Sequence, residues 1–171
     1  FSGLDPRGLT DRYADYWQQN VSHVRINYAH CVANPHRFKG YGANCWGLTA
    51  SDDKGGYSMH DPANDNGTVS PTAALASIPY APRAALRALR HFLRGYGGRL
   101  WGRYGLVDAF SETRNWYAET FLAIDQGPII LMIENYRTGL LWKLFMGVPE
   151  VQGGLRALGF ASPHFKRRAT G

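Results

Sequence analysis

Apolar residues between Asp11 and Val32 recur three or four positions apart: Tyr13, Tyr16, Trp17, Val21, Val24 and Tyr28. That spacing predicts a helix with one buried face. Thr10 or Asp11 can cap its start, and it should stop before Asn34-Pro35, because a residue preceding proline disfavours the helical conformation. From Phe38 to Pro71 the period disappears. This stretch is rich in Gly, Asn, Asp and Ser, with turn signals at Lys54-Gly-Gly56 and Asp65-Asn-Gly67. A loop so long inside a compact domain is usually functional or disordered, and its aromatics Tyr41, Trp46 and Tyr57 argue for order.

Helical character then returns. Ser70-Pro71 is a capping serine with proline at the first helical position. Pro82 opens an amphipathic helix to about Arg94, with Ala85, Leu86, Leu89, Phe92 and Leu93 opposite Arg83, Arg87, Arg90 and Arg94. A glycine-rich connection, Gly95 to Gly105, carries Tyr96, Trp101 and Tyr104. A nearly all-apolar helix is expected from Pro128 to about Tyr136, followed by short ones over Gly139 to Met146 and Pro149 to Leu158. The pattern is all-α with long polar loops and at most minor strands. The Pro128 helix reads as an inner helix and the Pro82 helix as an outer one, the alternation that a helical barrel requires.

Length and charge then narrow the class. The 171 residues suit one domain, and a 44% hydrophobic fraction permits a sizeable core. The strongest apolar run, Pro128-Ile-Ile-Leu-Met-Ile133, falls far short of the roughly 18 residues of a membrane-spanning helix, so no membrane insertion is expected. The chain begins at Phe1 without a signal-peptide pattern, which reads as a processed start or a piece of something longer. The net charge of +6 raises the question of nucleic acid. Neither the arginine stripe nor the tail cluster Lys166-Arg-Arg168 comes with a nucleic-acid-binding motif, so a solvated helix face and a basic tail (161–171) are the expectation. Cys31 and Cys45 could pair across a short loop; their spacing suggests no metal site.

The densest chemistry lies in Tyr41-Gly-Ala-Asn-Cys-Trp-Gly-Leu-Thr-Ala-Ser-Asp52. Glycines there permit close backbone approach to a ligand. Trp46 would offer an apolar face to a sugar ring, and Tyr41, Asn44, Thr49 and Asp52 hydrogen-bonding groups to its hydroxyls. Glycosidic chemistry usually needs two carboxyl groups, and only thirteen acids exist to choose from. Asp52 could bind hydroxyls or shape a turn. Asp108, between apolar neighbours, could be a satisfied buried acid or a sugar ligand. Asp125 stands at the mouth of the inner helix, where the helix dipole would lower its pKa and suit it to a base or a hydroxyl acceptor. Glu134 is embedded in the apolar helix; burial would favour its protonated, acid form, although pairing with Arg137 one turn away is the commoner arrangement. His60 lies in the loop and could touch ligand. His23 and His30 share a helix face without a third metal ligand at hand.

The chain resembles the C-terminal part of the bacterial glucoamylase-like domain, the family that includes endo-β-1,2-glucanases. The resemblance rests on the Tyr41–Asp52 segment, Asp65-Asn-Gly-Thr-Val-Ser-Pro-Thr-Ala-Ala74, Leu100-Trp-Gly-Arg-Tyr-Gly-Leu-Val-Asp-Ala-Phe110, Ala123-Ile-Asp-Gln-Gly-Pro-Ile129 and Ile133-Glu-Asn-Tyr-Arg-Thr-Gly139, in the family order over 1–160. It implies part of an (α/α)6 barrel that hydrolyses a β-linked glucan with inversion, without cofactor, in the periplasm or outside the cell. It also places Trp46, Thr49, Asp52, Asp108, Asp125, Gln126 and Glu134 in the substrate cleft. The family's barrel is longer than this chain, and its upstream half carries the acidic motifs assigned to catalysis. A carbohydrate-binding segment without turnover is the alternative.

Overall fold

A computed structural model describes residues 1–165. The Lys166-Arg-Arg168 cluster lies outside them. Among the described residues, six α-helices are interspersed with three two-stranded antiparallel hairpins: α1 Tyr16–Ala33, β1 Ser51–Asp53, β2 Gly56–Ser58, α2 Pro71–Leu75, α3 Pro82–His91, β3 Trp101–Gly102, β4 Gly105–Leu106, β5 Phe110–Ser111, β6 Trp116–Tyr117, α4 Ala123–Arg137, α5 Leu140–Met146 and α6 Pro149–Ala157. None of the described helices is long and apolar enough to cross a membrane.

Helix α1 starts later than its hydrophobic period suggests. Asp11 Oδ1 accepts the amides of Tyr13 (2.8 Å) and Ala14 (2.9 Å), which holds a local turn in place of a first helical turn. Asp15 then caps the helix through Gln18 N at 3.0 Å. At the other end Asn34 adopts the left-handed conformation (φ 45°), and its side chain bonds both the amide and the carbonyl of Phe38. That arrangement closes the helix before the loop.

Helix α4 begins at Ala123, five residues ahead of the expected Pro128. Proline inside a helix deprives the carbonyl four residues back of its donor. Here that carbonyl belongs to Ile124, which is 76% exposed and open to water. The earlier start puts Asp125 in the first helical turn. The expectation of an inner helix apolar on all sides needs correcting for this chain. Ile129 and Met132 are buried, but Ile124 and Ile130 (69%) face outward.

Helix α3 has the anticipated two faces, with Ala84, Ala85 and Ala88 buried and its arginines exposed. It runs on into a π-helical turn, Phe92–Tyr96. The main core gathers Val24 and Cys31 of α1, Trp46 and Leu48 of the loop, Phe92, Tyr96 and Phe110. A second cluster joins Ile78, Ala85, Met132 and Trp142, and a third joins Leu9, Met146 and Leu155. Thr10 pairs with Ala161 in an isolated bridge, so the two ends of the described chain meet. Cys31 and Cys45 are free, buried thiols, each pushed up to about 12 chiefly by burial.

Candidate functional site

Three aspartates from separate elements meet through the long loop. Asp52, on β1, donates its backbone N–H to Asp108 Oδ2 at 2.7 Å. Its own carboxylate accepts from the Thr120 hydroxyl. Asp108 lies just ahead of β5 and is 1% exposed; its Oδ1 has no hydrogen-bond donor among the described residues. Asp125 Oδ2 is likewise buried without a donor. The Asp108 and Asp125 carboxyls are within hydrogen-bonding reach once one of them holds a proton.

Two carboxylates so placed cannot both ionise cheaply. Burial, the hydrogen bond with Asp108, and the charges of Asp108 and Asp52 together raise the pKa of Asp125 to about 7. This reverses the expectation from its place at a helix start. A first-turn position does favour a negative charge, but desolvation and the neighbouring acids outweigh it. Thr72 Oγ1 holds the Asp125 carbonyl at 2.7 Å and fixes this turn against α2.

Asp125 borders a hollow of about 320 Å³, between α1 (Asn20, His23, Asn27), the loop (Leu48, Thr49) and α2 (Thr72). Such a volume is at the small end of those that hold small-molecule ligands. Asn27 ties the loop to α1, since its amide bonds both Leu48 O (2.7 Å) and Leu48 N (3.1 Å). The buried hydroxyl of Tyr80, another residue of this wall, has no partner among the described residues. Asp52 borders a second, open groove of about 570 Å³ between the β1–β2 and β5–β6 hairpins. Thr49, Asp52, Asp108 and Asp125 are therefore brought together.

The other predicted positions fall elsewhere. Trp46 is completely buried, edge-on to Tyr28 at 5.3 Å, with its indole N–H toward Ala84 O. It offers no face to a sugar and serves as a core anchor. Gly47, with φ 137°, permits this: a Cβ there would lie 2.6 Å from Ser70 O. His60, 2% exposed, is too enclosed to touch substrate directly, and Asp108, although it meets Asp52 and Asp125, is equally enclosed at 1%. His60 sits beside Asp53 at 3.9 Å, and burial lowers its pKa despite that neighbour.

Tyr41 spends its hydroxyl on Asp65 (2.7 Å) and Thr68 O (3.1 Å). Asn44 is exposed beside Arg87, Arg90 and Arg94, away from the aspartates. Gln126 bonds Leu106 O at 2.5 Å, bracing the β3–β4 hairpin. Glu134 is only partly buried and bonds Thr138 Oγ1 (2.6 Å) and Arg137 (3.4 Å). Nine residues separate it from Asp125 on one helix. That is about 13 Å along the axis and half a turn out of phase, so the two cannot act on one bond.

Sequence reasoning missed Arg114. It reaches Asp53 at 2.5 Å and Asn66 at 3.0 Å, and it also bonds Thr68, clamping the long loop to the β5–β6 turn. Burial opposes charge on Asp53, yet Arg114 and Asn66 hold its pKa below the ordinary value. A lone arginine between Thr113 and Asn115 carries no local signal of such a partner.

This geometry can be set beside known proteins. A family model described as "Putative glucoamylase" matches residues 1–149. The chain belongs to this glycoamylase family. It is 48% identical over 160 residues to an exo beta-1,2-glucooligosaccharide sophorohydrolase (non-reducing end) of Parabacteroides distasonis, covering 92% of this chain and 22% of the relative. The crystal structure of a family protein from Bacteroides uniformis superposes with a TM-score of 0.95 at 63% identity, covering 96% of this chain and 40% of that one. An endo-beta-1,2-glucanase from Chitinophaga pinensis, in complex with sophorotriose and glucose, gives 0.94 at 55% identity with the same coverages. The chain thus spans less than half the length of each of these relatives.

Proposed function

We propose that this chain forms the part of a β-1,2-glucan hydrolase that carries Asp125, and that Asp125 moves a proton at the glycosidic bond. The observation that carries this reading is Asp125 held partly buried against the Asp108 carboxyl; burial first, and then Asp108, raises it to about 7. A carboxyl titrating there can both give and take a proton near neutrality. The names of the relatives supply the substrate: one is a sophorohydrolase and another a β-1,2-glucanase.

Asp108 is a positioning residue in this scheme, and it is not the second catalytic carboxyl. Glycosidase carboxyl groups flank the scissile bond roughly 5–9.5 Å apart, and two groups sharing a proton leave no room for a sugar between them. The opposing carboxyl then comes from a part of the relatives' length that this chain does not span. By itself the chain binds glucan without turning it over. The outward apolar residues of α4, Ile124 and Ile130, support an (α/α)6 barrel in which further helices pack around α4. A polymeric substrate suits the periplasm or the cell exterior as the compartment.

The test is a hybrid in which this chain replaces the matching segment of the C. pinensis glucanase. Cleavage of β-1,2-glucan by the hybrid, lost by at least about a hundredfold on Asp125→Asn, is the expected result. A folded hybrid whose Asp125→Asn variant cleaves at the unmodified rate overturns the assignment.

A further inference from the structure

The groove between the β1–β2 and β5–β6 hairpins touches the proton-transfer pair only through Asp52, yet it has the surface of a saccharide site. In antiparallel pairs, residues directly opposite each other project from the same face. Asp52 and Tyr57 are such partners, so a carboxylate and an aromatic ring stand side by side on one wall. Tyr57 is 62% exposed. Trp116 lines the facing wall and is half-buried. Neither ring stacks on another aromatic among the described residues. Trp116 and Tyr117 both pack against the main core and both line the groove, but the Tyr117 ring is covered by Phe110, stacked parallel at 5.8 Å.

The polar groups of the groove discriminate between ligands. Asp52, Glu119 and Thr120 line it, and among its described lining residues there is no lysine or arginine. Asp53 also lines it, and the cations nearby are engaged, Arg114 on Asp53 and Arg99 over the Tyr117 ring, so on a chain of net charge +6 the groove is an acceptor-rich surface. It disfavours an anionic polymer and fits a neutral polyhydroxylated ligand, whose C–H faces stack on rings and whose hydroxyls donate to carboxylates. The floor is fixed, because the Asp52 carboxylate is held by Thr120 and its backbone N–H by Asp108.

We infer that this groove is a saccharide subsite in which Tyr57 and Trp116 stack glucose units of a neutral β-glucan while Asp52 and Glu119 accept their hydroxyls. The inference rests on the proposed function for the identity of the sugar, and its test is separable from that reading. Calorimetric titration of the 171-residue chain with a β-1,2-linked glucose pentasaccharide measures it directly. Tyr57→Ala and Trp116→Ala should each weaken binding roughly three- to tenfold, the loss of one aromatic face. Tyr57→Phe, which keeps the ring, should stay within about twofold.

Affinities of both alanine variants within about twofold of the unmodified chain overturn the subsite, and so does a chain that binds no pentasaccharide. Trp116→Ala disturbs a half-buried position, so the exposed Tyr57 variant guards against a folding artefact. In the hybrid glucanase, Tyr57→Ala should raise KM for the pentasaccharide. A hybrid that cleaves through Asp125 with KM unmoved by Tyr57→Ala sinks the groove alone; one insensitive to Asp125→Asn sinks the hydrolase reading and leaves the titration to judge the groove.

Discussion

Asp125 and Trp46 show how one side chain's neighbours set its role. The pKa of Asp125 is raised in the fold from the ordinary value of 3.8 to about 7. Between those values the folded chain holds a proton that the unfolded chain has lost, so stability falls as pH rises from about 4 to about 7 and then levels off. Asp125→Asn removes this dependence. Thermal midpoints of the two chains should therefore converge near pH 4 and separate above pH 7, with the asparagine variant higher; superimposable pH profiles would count against the shared proton. Trp46 belongs to the opposite category. Trp46→Ala should destabilise the fold by about 3–5 kcal/mol, because it empties a fully enclosed site. Denaturant unfolding measures that loss.

At the scale of elements, the long loop is held by a few specific bonds rather than by regular structure. Arg114 ties Asp53, Asn66 and Thr68 to the β5–β6 turn. Asp53 has its pKa lowered, so the stabilisation is present above the ordinary carboxylate range and disappears as pH falls through the lowered value. Arg114→Leu leaves Asp53 enclosed without its cation and should cost roughly 3 kcal/mol at pH 7, and less at pH 3. Hydrogen exchange should localise the loosening to 51–68. Helix α1 offers a smaller check, since Asp15→Ala removes its cap at a cost of about 1 kcal/mol.

At the scale of the molecule, the exposed apolar residues of α4 and α5 stand out. Ile124, Ile130 and Leu144 are each more than 60% exposed, and Phe145 and Val148 border an adjacent apolar groove. Exposed patches of this kind mark interaction surfaces or association liabilities. At high concentration the 171-residue chain should self-associate in sedimentation, and Ile130→Lys with Leu144→Lys should shift it towards monomer. A strictly monomeric unmodified chain would mean that this face is tolerated by water.

Much of the architecture is written locally. Pro71, Pro82, Asn34 and Gly139 announce helix ends through backbone preferences that act within a turn or two; Ser70 stands at the N-cap of α2 as expected, but its buried hydroxyl bonds none of the described residues and does not cap the helix. The tryptophan-bearing loop is equally visible as a break in period. The order of the polar and apolar faces of α3 also follows from its 3.6-residue repeat. Those features need only neighbours in the chain.

The site's inventory could not be read that way. Asp52 and Asp108 are 56 positions apart, and the pKa of Asp125 depends on both. Whether a tryptophan lies in the core or lines a groove depends on which distant segments close over it. Trp46 is covered by Tyr28 of α1 and by α3, whereas Trp116 sits on a hairpin at the groove's edge. Sequence by itself determined which segments are helical, the turns and the family to which the chain belongs, while the starts of α1 and α4 were set by local capping bonds and packing. The tertiary structure alone decided burial and charge coupling, because both arise from atoms that only folding brings into contact.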